Sequence, residues 1–148
     1  MKDLYKKLIN SKKFKEWKQK HKESFLCSYI FIELPQFDFY NKGDTITSFI
    51  MGDDIEMMED EKFLKSKEKL KELKLDDIKV NQEKALDFIK EKKEYHKRII
   101  ILQKTKEPFW NITLISASKL LNIKINAVNE KILSKTIEPI SKLMRKVA

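Results

Sequence analysis

The sequence predicts an α+β protein made of two helix-plus-antiparallel-sheet units in tandem, followed by a C-terminal helix. Each half of the 148-residue chain runs from a charged amphipathic segment into alternating apolar strands. The two halves align about 75 residues apart, and Pro35 matches Pro108 in that alignment. We therefore expect an N-terminal unit with a connecting helix over residues 1–75 and a C-terminal unit over residues 76–148.

The N-terminal unit is predicted to begin with helix, because apolar residues recur at helical spacing over residues 3–22, with a slip at Asn10 and Ser11. One interrupted helix or two short ones fit this pattern. Alternating β-branched and aromatic residues then predict three strands, at 27–34, 37–40 and 45–51. Residues 59–74 return to an amphipathic helical pattern, which predicts the connecting helix.

The C-terminal unit is predicted to start with a helix over residues 81–95, capped by Asn81. Three strands follow, and the last helix starts at about Ile137, with Pro139 in its first turn. These strands are expected at 98–104, 109–115 and 120–128, with a further candidate at 131–135.

The strand predicted at 109–115 alternates cleanly between two faces. Trp110, Ile112 and Leu114 share one of them. Because all three would otherwise be exposed together, we expect Trp110 to be a core residue and not a platform for ligand stacking.

Part of the C-terminal unit resembles a known family. Residues 78–133, from Ile78-Lys79-Val80-Asn81 through Pro108-Phe109-Trp110-Asn111-Ile112 to the strand and turn that end at Leu133, are similar to a PepSY-like domain. The shared features are a short helix, a tryptophan-bearing middle strand and a closing strand with a tight turn. The first half looks like a diverged copy. The resemblance implies a cystatin-like fold in each unit and a link to peptidase propeptides and protease restraint, and it supplies no catalytic residue.

Composition bounds the class of protein. No segment approaches the length of about 18 apolar residues that a transmembrane helix needs, and the N-terminus is amphipathic. The single cysteine, Cys27, cannot form an internal disulfide, which is consistent with a reducing compartment. These features predict a cytoplasmic protein without a membrane span.

The net charge of +9 suggests nucleic acid as an alternative partner, but the distribution of charge argues against specific binding. Only Arg98 and Arg145 provide the planar guanidinium that reads base edges, and the other 30 basic residues are lysines. Residues 24–61 carry one basic and nine acidic residues, a net charge of −8 between basic segments. A lysine-rich binder of nucleic acids or anionic surfaces is therefore the second interpretation, and internal charge complementarity is the first.

The sequence contains no recognisable catalytic site. The histidines are His21 and His96, and Cys27 begins an apolar strand, where a buried and inert thiol is expected. The acidic run at residues 53–61 lacks the alternating oxygen ligands of a calcium loop, so we expect an exposed turn that leads into a helix. The prediction is a protein that is not an enzyme and needs no cofactor.

Aromatic residues on the predicted strands are the remaining candidates for a binding site. Those proposed to contact a partner are Phe37, Phe39, Tyr40 and Phe109. Packing between strands and helices is the simpler role, but any that remain exposed would form a protein-binding surface. The predicted function is non-catalytic binding of a protein or peptide, as a regulator or inhibitor, by addition of an extended segment to an edge strand. A second copy of the chain could pair through the same edges.

Overall fold

A computed structural model describes residues 1–62 and 70–141 of the protein. The strands in these residues are β1 (Phe25–Phe31), β2 (Pro35–Asn41), β3 (Thr45–Met51), β4 (Ile55–Lys62), β5 (Lys97–Lys104), β6 (Pro108–Ile115), β7 (Lys119–Asn126) and β8 (Ile132–Pro139). The α-helices are α1 (Lys2–Ile9), α2 (Lys12–Lys20) and α3 (Gln82–Asp87). The strands form one antiparallel sheet in the order β4-β3-β2-β1-β5-β6-β7-β8.

The predicted fold class, two cystatin-like units in tandem, is wrong. The described strands make one continuous sheet, because β1 pairs directly with β5 from Ser28 opposite Gln103 to Phe31 opposite Ile100. This pairing crosses the boundary predicted between residues 75 and 76. Alternation along a strand predicts its two faces but not the strand that pairs with each edge. The sheet therefore dominates the fold, with short helices beside it.

The strands of both halves lie close to their predicted positions. Those predicted at 98–104, 109–115 and 120–128 are confirmed as β5, β6 and β7, and the three N-terminal strands are confirmed as β1, β2 and β3. The strand that follows them, β4, was not predicted.

The N-terminal helical prediction is confirmed as two short helices. Ser11 separates them, since its hydroxyl oxygen accepts a hydrogen bond from the backbone N–H of Phe14 at 3.2 Å and so caps α2. α2 then packs Phe14 on Phe39, with ring centroids 5.3 Å apart, and Trp17 on Phe49, with centroids 5.2 Å apart. Tilted and edge-to-face ring contacts of this kind hold α2 on β2 and β3.

The core continues from this aromatic cluster across the same face of the sheet. The buried side chains on β5, β6 and β7 are Ile100, Leu102, Trp110, Ile112, Leu114, Leu121, Ile123 and Ile125. The prediction that Trp110 is a core residue is confirmed, because its side chain is fully buried. Its indole N–H donates to the backbone oxygen of Val80 at 2.7 Å.

The connecting helix predicted over residues 59–74 is wrong where the structure describes it. Residues 59–62 belong to β4, which pairs with β3 and directs Ile55 and Met57 toward the core. Residues 63–69 lie outside the described part of the chain. Residues 71–73 run along the sheet, with the N–H of Leu73 donating to the backbone oxygen of Leu26 at 2.8 Å. Pairing with β3 satisfies the backbone groups on one side of β4 and partly buries two side chains, which outweighs the local helical preference.

The helix predicted over residues 81–95 is shorter than expected. Asn81 is confirmed as its cap, since its side-chain oxygen accepts from the N–H of Lys84 at 2.8 Å. α3 ends at Asp87, and a short 3₁₀ turn covers residues 92–94. Tyr95, two residues before β5, is buried. The helix must therefore end before this residue, so that the extended chain can place the Tyr95 ring in the core.

The C-terminal helix predicted from about Ile137 is wrong at its start. β8 extends through Ile137 to Pro139 and pairs with β7 along its length. Residues 140 and 141 are helical, and residues 142–148 of that predicted helix lie outside the described residues. The candidate strand at 131–135 is thus part of a longer edge strand.

Candidate binding surfaces

The four aromatic residues proposed for partner binding do not form one surface. Phe37 and Phe39 are buried on the face that α1 and α2 cover, where Phe37 contacts Tyr5 with ring centroids 5.3 Å apart. Tyr40 and Phe109 lie on the other face, as the register of the strands shows. Tyr40 stacks on Phe25 with centroids 5.6 Å apart and is half-buried.

The β8 edge is the most exposed apolar feature in the described residues. Ile132, Leu133 and Ile137 are 49%, 50% and 54% exposed. One side of β8 pairs with β7, and no strand among residues 1–62 and 70–141 pairs with its other side. The name β8 edge is used below for this open side of residues 132–139.

The backbone groups on the β8 edge can be assigned from the ladder. The N–H of Ile140 donates to the backbone oxygen of Ser118 at 2.9 Å, so residue 140 directs its backbone toward β7. Hydrogen-bonding direction alternates along an antiparallel strand. Residues 138, 136 and 134 therefore face β7, and Lys135, Ile137 and Pro139 direct their backbones outward. Pro139 has no N–H to offer, as expected of a proline in an edge strand.

Side chains on β8 divide between the two faces of the sheet. Ile137 lies opposite Leu121, and Lys135 lies opposite Ile123, so both are on the core face. The Lys135 ammonium is 2.8 Å from a carboxylate oxygen of Glu91, and this contact lowers the pKa of the Glu91 carboxyl. The lysine is therefore held beside the sheet, where it gives the β8 edge little protection against strand pairing.

A hollow of 420 Å³ lies beside the β8 edge on the face opposite the helices. Phe109 and Leu133 provide its apolar surface, and Lys106, Glu107 and Lys124 provide charge. Phe109 is 9% exposed. Of the four predicted partner-binding residues, Phe109 is thus the one that lies next to β8.

A second and larger concave feature, of 810 Å³, lies between α1 and residues 72–77. We call it the α1 cleft. Its helix side carries Lys2, Tyr5, Lys6 and Ile9, which helical spacing places on one face of α1. The opposite side carries Glu72, Lys74, Asp76 and Asp77, and the floor is apolar, formed by Phe14, Leu26 and Phe39.

Tyr5 lies on the helix side of the α1 cleft, and Glu72 on the opposite side influences it electrostatically. Burial and the nearby Glu72 carboxylate raise the pKa of its hydroxyl. Both effects disfavour the phenolate, so the hydroxyl is a hydrogen-bond donor at neutral pH.

The thiol of Cys27 and the imidazole of His21 are both engaged within the fold. Cys27 is fully buried, and burial together with the Asp38 carboxylate raises the pKa of its thiol to about 12. The prediction that Cys27 is buried is confirmed. His21 stacks on Trp17, and its Nδ1 lies 2.9 Å from the Trp17 backbone oxygen. No group of three or more ligating side chains in the described ranges is placed to hold a metal ion.

The acidic run at residues 53–61 does not lead into a helix, as the sequence had suggested. Asp53 and Asp54 are exposed in the turn between β3 and β4, and residues 55–61 belong to β4. None of the helices in the described part of the chain has the length and apolar character needed to cross a bilayer.

Sequence reasoning missed both concave features. The spacing of residues 2, 5, 6 and 9 was a signal for one side of the α1 cleft, but no sequence pattern brings residues 72–77 opposite them. For the hollow, Phe109 was identified, and Leu133 was missed because a helix was expected soon after it.

Comparison with known proteins supports the fold and nothing more specific. No family model matches the chain, and no curated protein matches it. The resemblance to a PepSY-like domain thus stays a prediction. A crystal structure of a putative lipoprotein from Clostridium difficile 630 is similar in fold, with a TM-score of 0.51 over 85% of this chain and 90% of that one. At 15% identity the similarity extends to the fold alone.

Proposed function

We propose that this protein is a non-catalytic binding module that accepts an extended segment of another protein along the β8 edge. The observation that carries the proposal is the exposure of Ile132, Leu133 and Ile137, each about half accessible, on a strand whose outer backbone groups pair with no described strand. Folded proteins usually protect such edges with charges, prolines or covering elements. A segment that adds to β8 would satisfy these backbone groups and cover the aliphatic side chains.

The two faces of β8 specify the chemistry of the incoming segment. Side chains on the core face would lie beside Ile137, so apolar residues fit there. Side chains on the other face would lie beside Ser134 and Thr136, which suits polar residues. A segment of alternating apolar and polar residues therefore matches this edge. The hollow lined by Phe109 and Leu133 offers an additional contact for one larger side chain.

The decisive experiment uses a substitution that removes one outward donor. Ile137→Pro deletes an N–H on the open side and leaves the residues that pair with β7 unchanged. Ile137→Thr is the matched control, because it keeps the N–H and suits a strand. Proteins captured from native cells by the wild type and by Ile137→Thr, but not by Ile137→Pro, are the expected partners.

Hydrogen exchange provides a second measurement. The amide protons of Lys135 and Ile137 are expected to exchange rapidly in the free protein and to become protected when a captured partner is bound. The same proteins captured by all three baits, or protection confined to other residues, would contradict strand addition at β8. A second copy of the chain is one possible occupant, and sedimentation of the wild type against Ile137→Pro detects it.

The cytoplasmic location predicted from the sequence stays a prediction, since the similarity to the Clostridium difficile structure concerns the fold alone.

A further inference from the structure

The α1 cleft carries charges of opposite sign on its two sides that do not neutralise each other. Lys6 lies on the helix side. Glu72, Asp76 and Asp77 lie on the other side together with one lysine, Lys74, so that side carries an excess of negative charge. No ion pair in residues 1–62 and 70–141 joins these groups.

Two of the other lysines of the cleft, Lys2 and Lys18, are already engaged. Lys2 donates to the backbone oxygen of Ile78 at 3.3 Å. Lys18 donates to the backbone oxygens of His21 at 3.4 Å and Lys22 at 3.2 Å. Lys6 makes no such contact within the described residues and is the helix-side ammonium that remains available to a ligand.

The floor between the charged sides favours apolar groups. Phe14, Leu26 and Phe39 form it, and each is buried in the core, so its position is fixed. A volume of 810 Å³ lies within the range of about 300–1,000 Å³ that is usual for small-ligand sites. Fixed apolar surface with a few convergent polar groups is the common composition of such sites.

We propose that the α1 cleft binds a short zwitterionic peptide with apolar side chains. The ligand carboxylate lies near Lys6, its ammonium group lies near Glu72 and Asp76, and its side chains rest on the apolar floor. A single amino acid would leave much of the cleft empty. The site is separate from the β8 edge and does not depend on the function proposed for it.

Three probes test the two charge contacts independently. They are the dipeptide L-leucyl-L-phenylalanine, its C-terminal amide, which lacks the carboxylate, and its N-acetyl derivative, which lacks the ammonium group. Titration calorimetry with the full chain should show saturable binding of the dipeptide. Each analogue should bind about three- to fivefold more weakly, the loss expected for one partly solvated ion pair.

Variants then assign each contact to one side of the cleft. Lys6→Gln should remove the difference in affinity between the dipeptide and its amide. It should preserve the difference in affinity between the dipeptide and its N-acetyl derivative. The double variant Glu72→Gln/Asp76→Asn should do the reverse. Lys7→Gln is the matched control, since Lys7 is exposed on the same helix and outside the cleft. It should behave as the wild type.

Three results of the binding experiments would overturn the proposal. Absence of saturable dipeptide binding, equal affinity for the three probes, or an equal effect of Lys6→Gln and Lys7→Gln would each contradict it. Circular dichroism of every variant shows whether the fold is retained, and all substituted side chains are exposed. Ile137→Pro should leave dipeptide binding unchanged, so failure at β8 and failure at the cleft are distinguishable.

Discussion

The indole N–H of Trp110 donates to the backbone oxygen of Val80 at 2.7 Å, in a fully buried environment. Val80 lies directly before α3, and its own N–H donates to the backbone oxygen of Ala127 at 2.9 Å. One side chain of β6 thus fixes the segment that enters α3, and that segment is in turn bound to the chain leaving β7.

Replacement of Trp110 should be strongly destabilising. Trp110→Ala is expected to lower the free energy of unfolding by about 3–5 kcal/mol, because it leaves a large cavity in the core. Trp110→Phe should cost less, since it keeps most of the apolar contact but leaves the Val80 oxygen without its buried partner, a loss of about 1–3 kcal/mol. Urea unfolding followed by circular dichroism measures both. Wild-type stability in Trp110→Phe would show that the hydrogen bond contributes little.

The Cys27 thiol should be unreactive in the native protein. It is fully buried and its pKa is raised to about 12, so the thiolate is scarce at neutral pH and inaccessible to reagents. We expect iodoacetamide to label Cys27 at least about a hundredfold more slowly in the folded protein than in urea. Mass spectrometry of the alkylated chain measures this. Ser118→Cys, which places a thiol at an exposed turn position, is the control that should react at its new site. Rapid native labelling of Cys27 would instead indicate local opening of β1.

Stability should fall under alkaline conditions. The pKa of Cys27 is raised from 9.0 to about 12 and that of Tyr29 from 10.0 to about 12, in both cases mainly by burial. Between the unfolded and folded values the folded state binds more protons than the unfolded state, so the free energy of unfolding decreases as pH rises. The stabilisation is complete below pH 9 and is lost progressively toward pH 12.

Tyr29→Phe isolates one part of this pH dependence. In the wild type the Tyr29 hydroxyl donates to the side-chain oxygen of Gln82 at 3.2 Å. Because the variant lacks this hydrogen bond, it should be slightly less stable at neutral pH. Above pH 10 its stability should decline less steeply than that of the wild type. Urea unfolding of both proteins at matched pH values gives the comparison. Parallel curves throughout the alkaline range would mean that Tyr29 titrates alike in both states.

Nucleic acid should bind weakly and without sequence preference. The charge of +9 comes from 30 lysines and two arginines, and an acidic segment with a net charge of −8 interrupts it. Few lysines can therefore contact the phosphates of one nucleic-acid strand together, and two arginines provide little means of hydrogen bonding to base edges. Fluorescence anisotropy with labelled DNA or RNA should show binding that is lost at about 0.15 M salt. Submicromolar, sequence-selective binding at that salt concentration would favour the nucleic-acid interpretation over strand addition.

Local features of the sequence determined several parts of this protein. The slip at Asn10 and Ser11 predicted either one interrupted helix or two short ones, and the structure has two, because Ser11 caps the second through a local hydrogen bond. Alternation predicted β5, β6 and β7 and the core position of Trp110, since strand periodicity follows from backbone geometry. Phe109 was identified as a candidate for the same reason, although nothing local placed it beside β8.

Contacts between distant segments decided the rest. The β1–β5 pairing makes one sheet from both halves of the chain, and no local pattern records which edges meet. Residues 59–62 belong to β4 instead of the predicted helix, because this strand pairs with β3 and packs Ile55 and Met57 against the core. The order of the strands in the sheet leaves β8 at an edge. Residues 72–77 lie opposite α1 in the folded chain. Both proposed sites therefore depend on the tertiary structure. The position of β8 in the strand order makes it an edge, and the charges of the α1 cleft come from segments that are far apart in the sequence.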